Sequence, residues 1–344
     1  MLIYIYHPGL HTPERAVEIA RRLEGLGYDG IAMPDHLFIP NFITGTPQHY
    51  AHGPTVLTTC AAVTSRIRLV TLMANVLVRP PVELAHAVVT LARVAGPGRV
   101  DLGVGTGWFR WEFEAAGLAF PPGRERRNRL VEAVGVWHAL IRDGSADLDG
   151  PHYRVHVPPG GFLPPGQKVP IMVGAAGPRM IQAAAAVADR IDFQPDSLQS
   201  GTIDLVQYDG YDQAKLAAGV RLARETRAGI PVSGSPFVQI CEDAAEARLA
   251  RAERAERLGL PEAAIRQSLG TIVGTGARSS SGSARTPKPA AIGSTYNRLM
   301  STSRTGSPRS SPNSTQWDPQ RARIPRGDEP VREHAARLAR SIGR

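Results

Sequence analysis

Apolar runs at period two alternate with amphipathic stretches at helical spacing about seven times over roughly the first 250 residues. That alternation is the pattern of successive βαβ units. It restricts the chain to an eight-fold parallel barrel or an open doubly wound sheet. The strand candidates are Leu2–Tyr6, Tyr28–Met33, Ile67–Met73, Arg99–Gly107, Val169–Val173, Arg190–Phe193 and Val232–Cys241. Between them, Thr12 is placed to cap a helix that has Pro13 at its first position and runs to Gly25. Further helices are expected over Val56–Val63, Pro80–Val94, Arg124–Ile141, from Met180 to Val187, over Asp209–Thr226 and over Ala244–Leu258, with a small hairpin around Tyr153-Arg154-Val155.

The strand ends separate the two architectures. Pro34-Asp35-His36, Ala74-Asn75-Val76, Gly103-Val104-Gly105-Thr106-Gly107 and Gly174-Ala175-Ala176-Gly177-Pro178-Arg179 each follow an apolar run. Polar or glycine-rich ends on four strands suit a barrel, which gathers every strand end into one mouth. An open sheet concentrates its ligand at one switch point. A dinucleotide fingerprint also fails on spacing: after Gly103 and Gly105 the third glycine is due at 108, where Trp108 stands.

Charge and cysteine usage exclude other classes. The formal net charge is +9, but the chain after Thr275 holds 13 Lys and Arg against 4 Asp and Glu, which accounts for all of it. The part before is neutral, so a specific nucleic-acid partner is not expected. Cys60 and Cys241 have no paired spacing, which argues against a disulfide framework or a zinc ribbon. The histidines show no metal-ligand spacing; those at 11, 49, 52, 138, 152 and 156 read as loop or surface residues, and His7, following the first strand, as a pocket residue. The sequence opens on an apolar strand without a signal-like run, and no stretch reaches membrane-spanning length, so a cytoplasmic protein without a membrane partner is expected.

Past Thr275 the chain becomes rich in Ser, Arg, Pro and Thr. Such a composition buries too little apolar surface to offset ordering entropy, so 276–344 is expected to be a disordered tail in which only Val331–Ile342 has helical spacing. No eighth strand is evident there, so the barrel is expected to be incomplete at that strand. A shift of reading frame or a recombination near position 275 would produce such a change.

Three segments together carry a resemblance: Gly30-Ile31-Ala32-Met33-Pro34-Asp35-His36; Leu102-Gly103-Val104-Gly105-Thr106-Gly107-Trp108 with Glu112-Phe113 and Gly117 following; and Gly174–Arg179 followed by an Ala-rich helix and Ala188-Asp189. In order and spacing, positions 1–275 resemble the bacterial luciferase-like superfamily of TIM-type (β/α)8 barrels, and the Asp35-His36 pair resembles the branch that uses the deazaflavin coenzyme F420 rather than FMN with oxygen.

The resemblance implies roles that the residues alone leave open. By itself Asp35-His36 reads as a loop-capping Asp and a surface His; the resemblance makes His36 the catalytic group at the reactive edge of the cofactor and Asp35 a cofactor-site residue. Ala74-Asn75-Val76 is by itself a strand exit; the resemblance implies a cis peptide at Asn75–Val76 against the deazaflavin face. Gly103, Gly105 and Gly107 relieve crowding in any barrel; the resemblance has them, with Thr106, admit the ring. Gly174, Ala175, Ala176, Gly177 and Arg179 form an αβ turn that can also cradle a phosphate at a helix start. In the sugar-phosphate dehydrogenase branch a Glu follows the last glycine. Trp108 in its place removes a candidate acid and points to an apolar or aromatic substrate pocket.

The expected function is therefore F420-dependent oxidoreduction of a small organic substrate, with a homodimer compatible with it. The alternatives are an FMN-dependent luciferase-like monooxygenase and, as a non-catalytic reading, a cofactor-binding or truncated-barrel protein.

Overall fold

The computed structural model describes residues 4–39, 49–195, 206, 209–268 and 271–275. All of these but Ile39 belong to one compact unit, Met1–Phe38 with His49–Ser303. The 276–344 tail, with its expected helix, lies outside the described residues.

A curled parallel sheet runs β1 (Tyr4–Ile5), β2 (Gly30–Met33), β3 (Arg68–Thr71), β5 (Val100–Gly105), β8 (Ile171–Ala175), β9 (Arg190–Phe193), β10 (Val232–Gly234), and the short β4 (Ala74–Asn75) also pairs with β5. Helices α1 (Pro13–Gly25), α2 (Gly53–Val63), α3 (Pro81–Ala95), α5 (Gly123–Asp143), α6 (Pro178–Val187) and α7 (Gln213–Thr226) pack in succession outside it. A short α4 (Arg110–Ala115) follows β5, and α8 (Ala244–Leu258) and α9 (Glu262–Gln267) follow the later strands. The expected hairpin is present as antiparallel β6 (Ala146–Asp149) and β7 (Arg154–Val157).

The later strands differ from expectation in detail. The seventh strand is not continuous: Ser235-Pro236 breaks it into β10 and β11 (Phe237–Cys241), because proline cannot donate to a ladder. A further parallel strand, β12 (Thr271–Thr275), pairs with β11 and does not join the main sheet among the described residues, so the barrel stays incomplete there as expected. It was overlooked because it lies against the change in composition and has only five residues.

The period of two sorts side chains between two cores. Ile31, Leu69, Leu102, Val104, Ile171, Val173 and Ile191 face the helices in the larger cluster. Tyr4, Ala32, Val70, Leu72 and Met172 form a smaller cluster on the inner face. There Tyr4 and Arg68 both hydrogen-bond the buried carboxylate of Asp101, filling one part of the barrel interior with a polar network. The outer layer is pinned by Trp137, fully buried, whose Nε1–H donates to the Pro81 carbonyl at 2.9 Å.

On β5 the inner face takes Asp101, Gly103 and Gly105. A Cβ on Gly103 would collide with the carbonyl oxygen of Thr71, which is backbone and cannot yield without parting β3 from β5. At Gly105 the nearest atom is Met73 Cβ, at 3.3 Å. Gly103→Ala is expected to cost about 3 kcal/mol and Gly105→Ala about 1 kcal/mol, read from urea unfolding midpoints. Equal midpoints would show that the close approach to Thr71 is not a constraint.

Candidate active site

The strand ends bring Asp35, His36, Asn75, Gly105, Gly107 and Trp108 together. β2 ends at Met33, and the chain turns so that Asp35 enters the protein while His36 stays half-buried. Asp35 makes a two-pronged ion pair with Arg79, at 2.7 Å from Nε and 2.6 Å from Nη2, and also accepts the Asn75 backbone N–H at 3.4 Å. Burial works against the Arg79 charge, but the hydrogen bonds and charge of Asp35 outweigh it and hold the guanidinium above its ordinary pKa. Asp35 thus ties the end of β2 to the β4 segment. Its carboxylate is engaged with protein.

The non-proline cis peptide lies at Leu72–Met73, not at the expected Asn75–Val76. The chain changes direction there, between β3 and β4, and by Asn75 it has already resumed pairing with β5. Val76 continues this pairing, donating its N–H to the Gly105 carbonyl at 3.2 Å. The Asn75 side chain accepts the Leu77 N–H at 3.1 Å. Gly107 sits at φ +69, and a Cβ there would lie 2.9 Å from Asn75 Nδ2 and 2.5 Å from Phe113 Cζ.

The glycines of β5 and β8 make room for one side chain. Met73 lies against Gly103, Gly105 and Gly174, which places the ends of β3, β5 and β8 around a shared floor. Gly174 and Ala175 close β8, Ala176 and Gly177 lead into α6, and Arg179 is exposed in its first turn. Among the described residues no hydrogen bond or ion pair joins Arg179 to His36. Thr106 stays half-buried between the loop glycines.

Around His36 the walls are aromatic. The ring centroids of Tyr50 and Trp108 lie 5.8 and 5.9 Å from the imidazole, both edge-to-face. Glu112 Oε2 is 3.0 Å from His36 Nδ1, and its Oε1 accepts the backbone N–H groups of Leu37 and Phe38, the latter at 3.1 Å. A carboxylate carried on α4 thus reaches His36. The sequence signal was the Glu112-Phe113 pair, but a short helix after the glycine loop was not foreseen, so its reach to His36 was not legible. Arg79 was missed in the same way.

His7 is half-buried and turned to a local task. Its Nδ1 accepts the Gly9 N–H at 3.0 Å and caps the short 3-10 turn Pro8–His11. His11, read as a loop residue, is buried instead and packs on Tyr50 at 4.2 Å between centroids. Its Nδ1 accepts the Ala51 N–H at 3.1 Å, so the neutral ring carries its proton on Nε2, 2.7 Å from the Tyr6 hydroxyl. Burial, with smaller contributions from His49 and His36, pushes the His11 pKa down to about 4. A folded pKa below the unfolded value means that the unfolded chain takes up the proton first. The stability is whole above pH 6.5 and is lost as pH falls toward about 4, a loss of roughly 3 kcal/mol. Urea unfolding at pH 7 and pH 4.5 should show this loss, and His11→Asn should flatten it. Parallel pH dependences in the two proteins would refute it.

Among the described residues no group of three or more His, Cys, Asp or Glu could hold a metal ion, and no helix is long and apolar enough to cross a membrane.

Fold and site together define a parallel barrel with a carboxylate-bound imidazole held among aromatic rings at its strand ends. The chain belongs to the luciferase-like monooxygenase family, whose family model matches residues 4–300. Among curated relatives it is 31% identical over 211 residues to an F420-dependent glucose-6-phosphate dehydrogenase of Nakamurella multipartita, covering 59% of each chain. It is 34% identical over 182 residues to the protein of that name from Kineococcus radiotolerans, covering 52% of this chain and 51% of the relative. The match therefore spans just over half the length of these relatives. Among solved structures, an F420-dependent secondary alcohol dehydrogenase in complex with an F420-acetone adduct superposes with a TM-score of 0.61 at 19% identity, over 80% of this chain and 87% of that one. A monooxygenase from Streptomyces bottropensis superposes with a TM-score of 0.57 at 23% identity, over 75% and 78%. At these identities the superpositions speak for the TIM-type barrel fold.

Proposed function

We propose that this protein is an F420-dependent oxidoreductase that moves a hydride between the deazaflavin and a small, uncharged organic substrate. The observation that carries the reading is the setting of His36: Nδ1 is taken by Glu112, Nε2 has no partner among the described residues, and aromatic rings flank the imidazole. The names of the curated relatives support the choice of cofactor.

The residues present fit such a group. The Asn75 Nδ2 amide is without a partner among the described residues, at the edge where β4 meets β5. It can donate to a polar ring edge, with Val76, Gly105, Thr106 and Gly107 beside it. The turn Gly174–Gly177 and the first turn of α6, with exposed Arg179, would hold a phosphate through backbone N–H groups and a guanidinium. Asp35 supports this surface through Arg79 and Asn75. When bound, the deazaflavin supplies a two-electron hydride couple. His36 Nε2 exchanges the proton of the substrate's oxygen, and Tyr50 and Trp108 exclude water around it.

The groups ringing His36 are aromatic, uncharged or anionic, with no cation among them: Trp108, Tyr50, uncharged His11, and a Glu112 carboxylate with three donors. This setting favours an alcohol or carbonyl compound over a sugar phosphate. Titrating the purified protein with F420 and with FMN, and following tryptophan fluorescence, tests the cofactor. Saturable quenching by F420, with deazaflavin bleaching on addition of small alcohols, is expected. Binding of FMN alone would move the assignment to the monooxygenase reading. Binding of neither would sink both.

A further inference from the structure

We infer that Glu112 is the positioning residue of His36, fixing its tautomer as well as its place. The inference rests on the acid–base role proposed for His36. A carboxylate can only accept hydrogen bonds, so the 3.0 Å contact to Oε2 puts the imidazole proton on Nδ1. Nε2 then carries the free lone pair on the unpartnered side of the ring. In the oxidising direction, Nε2 would accept the substrate's O–H proton, with a bound oxidised deazaflavin supplying the acceptor for the hydride from the substrate carbon. The imidazolium so formed keeps its Nδ1–H on Glu112, whose negative charge stabilises it.

Glu112 is suited to the task. Its side chain is 2% exposed, and Oε1 is already occupied by the N–H groups of Leu37 and Phe38, the two residues after His36. The loop that carries the imidazole and the group that orients it are therefore held by one carboxylate. The charged groups facing His36 from elsewhere do not compete for Nδ1. Asp35 is taken by Arg79, and His11 is engaged with Tyr6 and Ala51.

Glu112→Gln separates anchoring from orientation. Its single carbonyl oxygen can keep the Leu37 and Phe38 donors, which turns the amide NH2 toward Nδ1. An NH2 group only donates, so Nδ1 must become the acceptor and the proton must move to Nε2. Two-dimensional 1H–15N correlation spectra of 15N-histidine-labelled protein, without cofactor, read this directly. His36 is assigned by its absence in His36→Ala.

The wild type should show a protonated Nδ1 and an unprotonated Nε2, and Glu112→Gln the reverse. With F420 and substrate, the variant should lose roughly 10²–10⁴-fold in kcat with KM little changed. A wild-type ring protonated on Nε2 would overturn the proposal, as would an unchanged tautomer in a folded Glu112→Gln. If that variant fails to fold, the wild-type spectrum alone decides. Failure of the wild type to bind F420 would instead sink the proposed function, a result the spectra do not depend on.

Discussion

Arg79→Met is expected to remove roughly 3–5 kcal/mol of folding stability, because it leaves the Asp35 carboxylate buried without its counter-charge. Both residues are at most 8% exposed, and both guanidinium contacts are short. A domain of this size should lose on the order of 10 °C in Tm. Asp35→Leu alone strands the guanidinium and should cost a similar amount. The double variant should recover most of the loss, since an apolar pair of similar volume removes both desolvation costs together. A differential scanning cycle over the four proteins measures the coupling. Additive losses would mean that the pair is not an energetic unit. Because Asp35 also holds the Asn75 N–H, the single variants should weaken cofactor binding as well, read by the same fluorescence titration.

Under the proposed function, His36→Ala is expected to lower kcat by about 10²–10⁴-fold while leaving the F420 dissociation constant within a few-fold. The imidazole is bound through one nitrogen to Glu112 and leaves the other for substrate oxygen. Its removal therefore takes away proton exchange but little of the cofactor surface, which is built from Asn75, the β5 glycines and the α6 turn. Trp108 and Tyr50 remain to close the mouth. Stopped-flow turnover beside the binding titration separates the two quantities. Unchanged kcat would transfer the proton to another group, and a large loss of F420 affinity would make His36 a binding residue instead.

Much of this was legible before any coordinates. Strand–helix alternation fixes a parallel architecture locally, since period two and period 3.6 are properties of neighbouring residues. The same count put the glycines of β5 at alternate positions from its apolar residues, and the structure assigned the faces. The Asp35-His36 and Gly103–Gly107 motifs were readable along the chain, and the structure brings His36 and Trp108 within 5.9 Å.

What failed did so for definable reasons. β12 was hidden by its brevity and by the composition change beside it. The cis bond was placed three residues late because the turn after β3 depends on how the chain rejoins β5. His11, expected in a loop or at the surface, is buried because a 3-10 turn capped by His7 carries it inward.

The amino-acid sequence alone determined the class of fold, the inner-face glycines and the histidine at the end of β2, because each rests on local periodicity and on motifs read along the chain. Only the tertiary structure decided the partners: Arg79 for Asp35, Glu112 for His36, Met73 for the glycines. Those pairs lie between 30 and 101 positions apart and meet because the barrel brings strand ends together, a proximity that linear spacing does not encode.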